Sequence, residues 1–181
     1  PDVLLKAYLE AFTAADDVCL VIKDFGGKTV YAGQTFEQKI RAAQALPNAP
    51  EILYLNDELA PEQLPGLYRA CDCFVLPYRG EGYGLPVVEA MACGLPVMAT
   101  AGGATDDFVR DDFAFRIPAQ RQVFGTEISG LKLVKPGWLL EPDAAILAQQ
   151  MKRLAAHPAE ARECGCRAAA HAKQFCSWEN A

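Results

Sequence analysis

The chain has 181 residues, 51% of them hydrophobic, with 17 Lys and Arg against 23 Asp and Glu for a formal charge of -6. That length suits one domain able to bury roughly two thirds of its unfolded surface, and basic residues scattered singly through an acidic chain exclude a general nucleic-acid binder. No stretch reaches the apolar length of a membrane span, and the opening PDVLLKAYLEAF carries Asp2, Lys6 and Glu10 where a signal peptide is apolar, so a cytoplasmic chain is expected.

In chain order, Leu5, Leu9 and Phe12 fall at helical spacing behind Asp2, a candidate N-cap, and VCLVI at 18–22 reads as a β-branched strand ending at Lys23-Asp24. A polar helix is expected near 34–46, then the strand EILYL, a helix with Leu64, Leu67, Tyr68 and Cys71 on one face, and the strand CFVLP. A helix near 85–93, the strand PVMAT at 96–100, a short helix near 105–110 and the strand FAFRI at 113–117 follow. Apolar runs separated by helices predict an α/β fold, a doubly wound Rossmann-like parallel sheet with helices on both faces. Residues 118–137 show no period and contain Gly125, Gly130, Pro136 and Gly137; they are expected as a long surface excursion with a short strand at LKLV. After Pro142-Asp143, Leu147, Met151 and Leu154 mark a helix face, Pro158 interrupts, and an Ala-rich helix runs to about Phe175.

The seven cysteines are an odd number, and the spacings Cys71-x-Cys73 and Cys164-x-Cys166 match no common zinc pattern. Cys71, Cys73 and Cys93 fall in segments that read as buried, so reduced thiols are expected.

The stretch RGEGYGLPVVEAMACGLPVMATAGGA, residues 79–104, carries the chemistry. In parallel sheets ligands bind beyond the carboxyl ends of the strands, and PYRGEGYGLP is the loop between CFVLP and the next helix. Gly82 and Gly84 permit close backbone approach, and Pro86 suits a first helical turn whose free N–H groups favour an anion. Glu89 falls about one turn into that helix, with a side chain leaning back toward its start, while Glu81 stays on the loop. Two acceptor carboxylates flanking an anion site suit a ligand with hydroxyls on both sides of its phosphates, the layout of a nucleotide sugar.

At these residues the sequence resembles a known family. EGYGLPVVEAMACGLPVMAT looks like the E-x7-E signature of the retaining glycosyltransferases of group 1, also called family 4, which have the two-domain GT-B fold. The likeness extends to LYRACDCFVLPYRGEGYGLP, to Gly102-Gly103 with Asp106 where the family often has Glu, to WLLEPD, and to the closing FCSWENA; residues 118–137 have no counterpart. The resemblance implies that Glu81 hydrogen-bonds the donor sugar, as the catalytic-site acid, and Glu89 the ribose. It also implies that amides around Gly82, Gly84 and Leu85, with Tyr83 among them, meet the sugar and diphosphate. Gly102 and Gly103, after PVMAT, read either as a turn alone or as a loop lining the donor. Members usually enter this domain through a strand and a loop bearing Arg and Lys that neutralise the diphosphate, and this chain begins just after that point. The implied whole is the C-terminal, donor-binding domain, residues 1–181, of a larger enzyme whose N-terminal domain binds the acceptor.

Other residues have two readings each. Lys23, at a strand end where relatives often have Gly, either adds positive charge near the diphosphate or is simply solvated. Asn56, after EILYL, would present backbone groups to the base. Arg79 is expected as a surface residue whose stem packs on Tyr78 or Tyr83, rather than as a phosphate ligand. His157 and His171 are expected on the terminal helices, far from the strand ends, without a catalytic role. No metal and no cofactor is expected, the sugar nucleotide being substrate. No residue stands out as a nucleophile, so the donor half would position the sugar and stabilise the leaving diphosphate. The rivals are a non-catalytic nucleotide- or carbohydrate-binding module and a GT-B epimerase or phosphorylase.

Overall fold

The computed structural model describes residues 1–24, 36–128 and 131–177. The first two positions of the helix expected over 34–46, Gly130 of the excursion and the last four residues of the FCSWENA close lie outside the described residues. The elements that begin the chain are helix α1 (Asp2–Ala11), strand β1 (Cys19–Lys23), α2 (Glu37–Gln44), β2 (Glu51–Leu55), α3 (Leu64–Arg69) and β3 (Phe74–Leu76). There follow α4 (Leu85–Ala92), β4 (Val97–Thr100), a 3-10 turn (Ala104–Asp107), β5 (Ala114–Ile117), β6 (Ala119–Val123), β7 (Glu127–Ile128), β8 (Leu131–Lys132) and β9 (Trp138–Pro142). Helices α5 (Ala144–Ala156) and α6 (Pro158–Phe175) close the described chain.

Strands β1 and β2 pair in parallel, Cys19 opposite Glu51, and β3, β4 and β5 form a parallel set in that order, with Val97 opposite Phe74 and Ala114. Successive side chains of a strand point to opposite faces, and the core divides accordingly. Cys73 and Val75 of the third strand segment, Met98, Phe115 and Ile117 pack with α1, α2 and α5. Phe74, Leu76, Val97 and Ala114 pack with α4 and α6. Helices therefore cover both faces of the parallel strands, as the alternating apolar runs predict. Every residue of β4 is buried, which explains why VMAT lacks the polar alternation of a half-exposed strand.

Eight residues are too few for α4 to be stable alone. Val87, Ala90 and Met91 are each 0% exposed, and a fully buried large apolar side chain contributes about 1.5–3 kcal/mol, enough to hold so short a helix by packing. Helix α5 starts where Asp143 accepts from the Ala145 and Ile146 amides at 2.9 and 3.0 Å, a side-chain cap that satisfies two orphan donors. Pro158 opens α6. Gly165 lies against the Gly94 carbonyl just past the end of α4, whereas His171 and Phe175 share a cavity with Tyr83 just before its start. The two helices are thus antiparallel, and α6 ends at the carboxyl edge of the sheet.

The excursion differs from expectation. It is not periodless coil: β6 pairs antiparallel with β9 from Ala119–Pro142 to Val123–Trp138, and β7 with β8 forms a small hairpin at its tip. Of the strand expected at LKLV, only Leu131 and Lys132 are extended pairing residues. Strand β6 is exposed at four of its five residues, as the expected surface position requires, whereas β9 is exposed only at Trp138 and buries Leu140 and Pro142. The short helix expected near 105–110 is a four-residue 3-10 turn.

Candidate functional site

Two carboxyl-edge segments, the β3–α4 loop and the segment after β4, converge on the start of α4. Tyr78, at the root of the β3–α4 loop, is buried, and its hydroxyl lies 3.0 Å from the Thr100 carbonyl and 2.9 Å from Thr105 Oγ1. The Thr100 hydroxyl in turn donates to the Tyr78 carbonyl at 2.8 Å. These bonds lock the β3–α4 loop to the segment after β4 that carries Gly102 and Gly103. The fit is close: a Cβ on Gly103 would stand 2.6 Å from the Tyr78 hydroxyl oxygen. Gly84 caps α4 with a positive φ of 96° and leaves 2.8 Å between a hypothetical Cβ and Thr105 Cγ2, so both conformation and space demand glycine there.

Glu81 and Glu89 stand on this frame. Glu81 is exposed and folded onto its own loop, Oε1 accepting from the Gly82 amide at 2.8 Å and the Tyr83 amide at 3.3 Å. The Gly84 and Leu85 amides have no hydrogen-bond partner among the described residues, and Pro86 has no N–H to offer. Those two donors sit at a helix start, where the dipole favours negative charge. Glu89, also exposed, accepts from the Tyr68 hydroxyl of α3 at 2.9 Å on Oε2. Burial, followed by that bond to Glu89, holds the Tyr68 phenol protonated well above its ordinary value. One carboxylate oxygen of Glu89 is oriented by the protein; the other has no partner among the described residues.

Behind the glycine pair, Asp106 Oδ2 accepts from the Gly102 amide at 3.0 Å, and its Oδ1 lies 2.6 Å from Arg116 Nη2 on β5. The acid that stands where relatives often have Glu therefore fixes the Gly102 backbone. Lys23 and Asn56 lie at the carboxyl ends of β1 and β2. The Lys23 ammonium donates to the Asp24 carbonyl, Asn56 is exposed, and among the described residues no hydrogen bond joins either to the β3–α4 loop. Beside them Tyr54 donates to Asp24 at 2.7 Å, and burial, then that bond, pushes its phenol up to about 12.

Two expectations need correction. Arg79 is not a loose surface residue packed on a tyrosine; its guanidinium forks onto Asp2 of α1, at 2.8 and 2.8 Å, and onto Glu141 of β9, at 2.6 and 2.8 Å. Both carboxylates occupy it, so it does not serve as a phosphate ligand. His171 is not far from the strand ends. Because α6 runs back toward them, His171 stacks between Phe113 and Phe175, with centroids 5.0 and 4.6 Å away. It lines a cavity of about 730 Å³ that also includes Tyr83. Tyr83 itself leans on Phe108 at 5.3 Å between centroids.

Tyr68, Tyr78, Thr100, Thr105 and Arg79 are the functional-site supports that sequence reasoning missed. Only Tyr68 carried a signal, its position on the apolar face of α3. Of the cysteines, Cys71, Cys73 and Cys93 are half-buried and all seven thiols are free. Among the described residues no three His, Cys, Asp or Glu side chains converge as a metal-binding group, and no helix is long and apolar enough to cross a membrane.

A model of the family described as glycosyl transferases group 1 matches residues 1–124, more than half of the chain. A D-inositol 3-phosphate glycosyltransferase of Rhodococcus erythropolis is 34% identical over 111 residues, covering 61% of this chain and 25% of that protein. Among solved structures, Anabaena HepE in complex with UDP and glucose superposes with a TM-score of 0.67 at 19% identity, over 96% of this chain and 40% of that one. The C-terminal domain of LpcC, a group 1 family protein from Francisella tularensis, gives 0.65 at 18% identity, over 97% of this chain and 78% of that one. At these identities the two structures speak for the fold alone, and that fold is the one of GT-B glycosyltransferase C-terminal domains. The chain spans a quarter of the length of the Rhodococcus relative.

Proposed function

We propose that this chain, which belongs to the glycosyl transferases group 1 family, is the donor-binding half of an enzyme that transfers a hexosyl group with retention of configuration from a nucleoside diphosphate to an acceptor held by a separate N-terminal domain. The observation that carries this reading is the placement of Glu81 and Glu89 on one loop and the helix it opens, at the carboxyl edge of a parallel sheet, with the Gly84 and Leu85 amides between them. The neighbour HepE holds UDP and glucose, which makes UDP-glucose the first donor to test.

Each residue has a distinct task. Glu89, steadied by Tyr68, accepts from the ribose hydroxyls. The amides at the start of α4 take the diphosphate, whose charge grows as the sugar leaves; donors fixed in advance aid that step because they need no reorganisation. Glu81 accepts from the sugar hydroxyls. To do so it gives up the Gly82 and Tyr83 amides, which then become donors to the ligand, so one side-chain rotation exchanges an internal pair of bonds for bonds to substrate. The Gly102–Gly103 segment, held by Asp106 and Tyr78, closes the other wall. Lys23 and Asn56, at the carboxyl ends of β1 and β2, would border the diphosphate and the base.

Two substitutions in the full-length protein test the division of labour. Glu89→Gln removes one charge-assisted acceptor worth about 1.5–3 kcal/mol and weakens UDP and UDP-glucose alike. Glu81→Gln leaves UDP affinity near wild type and lowers turnover, because misplacing the reacting sugar costs rate more than nucleotide affinity. Equal loss of UDP binding in both variants, measured by calorimetry, would overturn the assignment.

A further inference from the structure

We infer that Arg79 is the positioning residue of the donor loop, a role that rests on the donor reading of Glu81 and extends it to a residue outside the ligand's reach. Arg79 is the last fixed point before Glu81. Its side chain makes four bonds to two carboxylates, Asp2 at the first turn of α1 and Glu141 on β9. Its backbone carbonyl accepts from the Leu140 amide at 2.9 Å. Immediately before it, Tyr78 is bonded to Thr100 and Thr105. Immediately after it the chain changes character: Gly80, Glu81, Gly82 and Tyr83 are exposed, and a Cβ on Gly80 or Gly82 would meet nothing within 4 Å. The loop is therefore a short exposed arc pinned at Arg79 and at Gly84. Two residues of chain span at most about 7 Å, so the place of Arg79 bounds the place of Glu81.

An ordinary exposed ion pair contributes little, but this one is a network. Arg79 and Glu141 are about one-third exposed, at 35% and 34%, and Asp2 at 44%, and the planar fork meets both acids bidentately. A lysine ammonium has no such fork and cannot reproduce the four bonds at once. Glu141 and Leu140 belong to β9, the strand that anchors β6 of the excursion. The inserted β-arm is thereby tied to the root of the donor loop, a coupling that neither element shows in its own sequence.

The test compares wild type, Arg79→Gln, Arg79→Lys and Glu141→Gln in this chain, with Arg41→Gln as control, which breaks an exposed pair with Glu37, a bond to Gln44 and a contact with the Tyr54 ring, all away from the donor loop. Backbone relaxation by NMR reads residues 80–83, with β4 as the internal reference. In Arg79→Gln the order parameters of 80–83 fall toward about 0.6 or below while those of β4 stay near 0.85, and UDP-glucose binds several-fold more weakly. Arg79→Lys recovers part of both losses, and Glu141→Gln shows a smaller version of the same loosening. Unchanged order parameters at 80–83 in both Arg79→Gln and Glu141→Gln would overturn the positioning role. If wild type binds no UDP-glucose, the donor reading fails, and the relaxation comparison still decides whether Arg79 positions the loop.

Discussion

The Tyr68 hydroxyl and the Glu89 carboxylate meet at 2.9 Å, so the acid expected to hold a ribose is oriented by a side chain from the preceding βα unit, 21 positions earlier. Tyr68→Phe keeps the ring, which packs edge-on to Phe74 at 5.7 Å, and removes the bond alone. Nucleotide affinity should fall by roughly three- to tenfold, the about 0.6–1.4 kcal/mol of one ordinary hydrogen bond whose loss acts on the ligand indirectly, with a melting temperature close to wild type. Calorimetry with UDP checks this.

Glycine substitutions separate space from function. Gly103→Ala forces a Cβ to 2.6 Å from a hydroxyl that two threonines hold in place, and overpacking of this kind costs typically about 1–3 kcal/mol. Gly82→Ala meets open space and should melt like wild type. Thermal unfolding of the two variants should differ by several degrees, with Gly103→Ala the lower.

The tyrosine at the centre of that contact is equally testable. Tyr78→Phe removes the hydroxyl that meets the Thr100 carbonyl, the Thr105 hydroxyl and the Thr105 amide, leaving the first two only a long 3.4 Å bond to each other, a deficit of about 1–3 kcal/mol. Denaturant unfolding should show the loss, and NMR shifts should move at Gly102 and Gly103 as well as at the mutated loop.

Much of this site was legible in the sequence because its logic is local. A strand end, a glycine, a helix-starting proline and an acid one turn later lie within residues 76–89, and α4 and its loop form where the spacing placed them. What the sequence hid is what depends on distant partners. Arg79 finds Asp2, 77 positions away, and Glu141, 62 positions away; no pattern around YRGE announces either. Strand β6, AQRQV, was invisible because a strand exposed at four of five residues has no apolar alternation to read. His171 was misplaced because spacing gives a helix its faces but not its direction, and only the packing of α6 against α4 brings its end to the carboxyl edge.

The Asp2–Arg79 pair carries a pH signature. Hydrogen bonds from Arg79, then its charge, outweigh partial burial and hold the Asp2 carboxyl well below its ordinary 3.8. A depressed folded-state value gives stability that is fully present above the unfolded value and is lost as pH falls through the folded one. The difference in melting temperature between wild type and Asp2→Asn should therefore be constant from about pH 7 to 5 and shrink only below about pH 4, near the unfolded carboxylate value. A gap that closed near neutrality would contradict this assignment.

The most direct measurement of the central claim is an amide NMR titration of this chain with UDP-glucose. With a donor site at the start of α4, signals of Gly82–Glu89 and Gly102–Gly103 move first, with Tyr68 following through Glu89, while residues 144–165 of α5 and the first half of α6 stay in place. Shifts confined to those helices, or none at the Glu81–Glu89 segment at saturating ligand, would contradict a donor site at the start of α4.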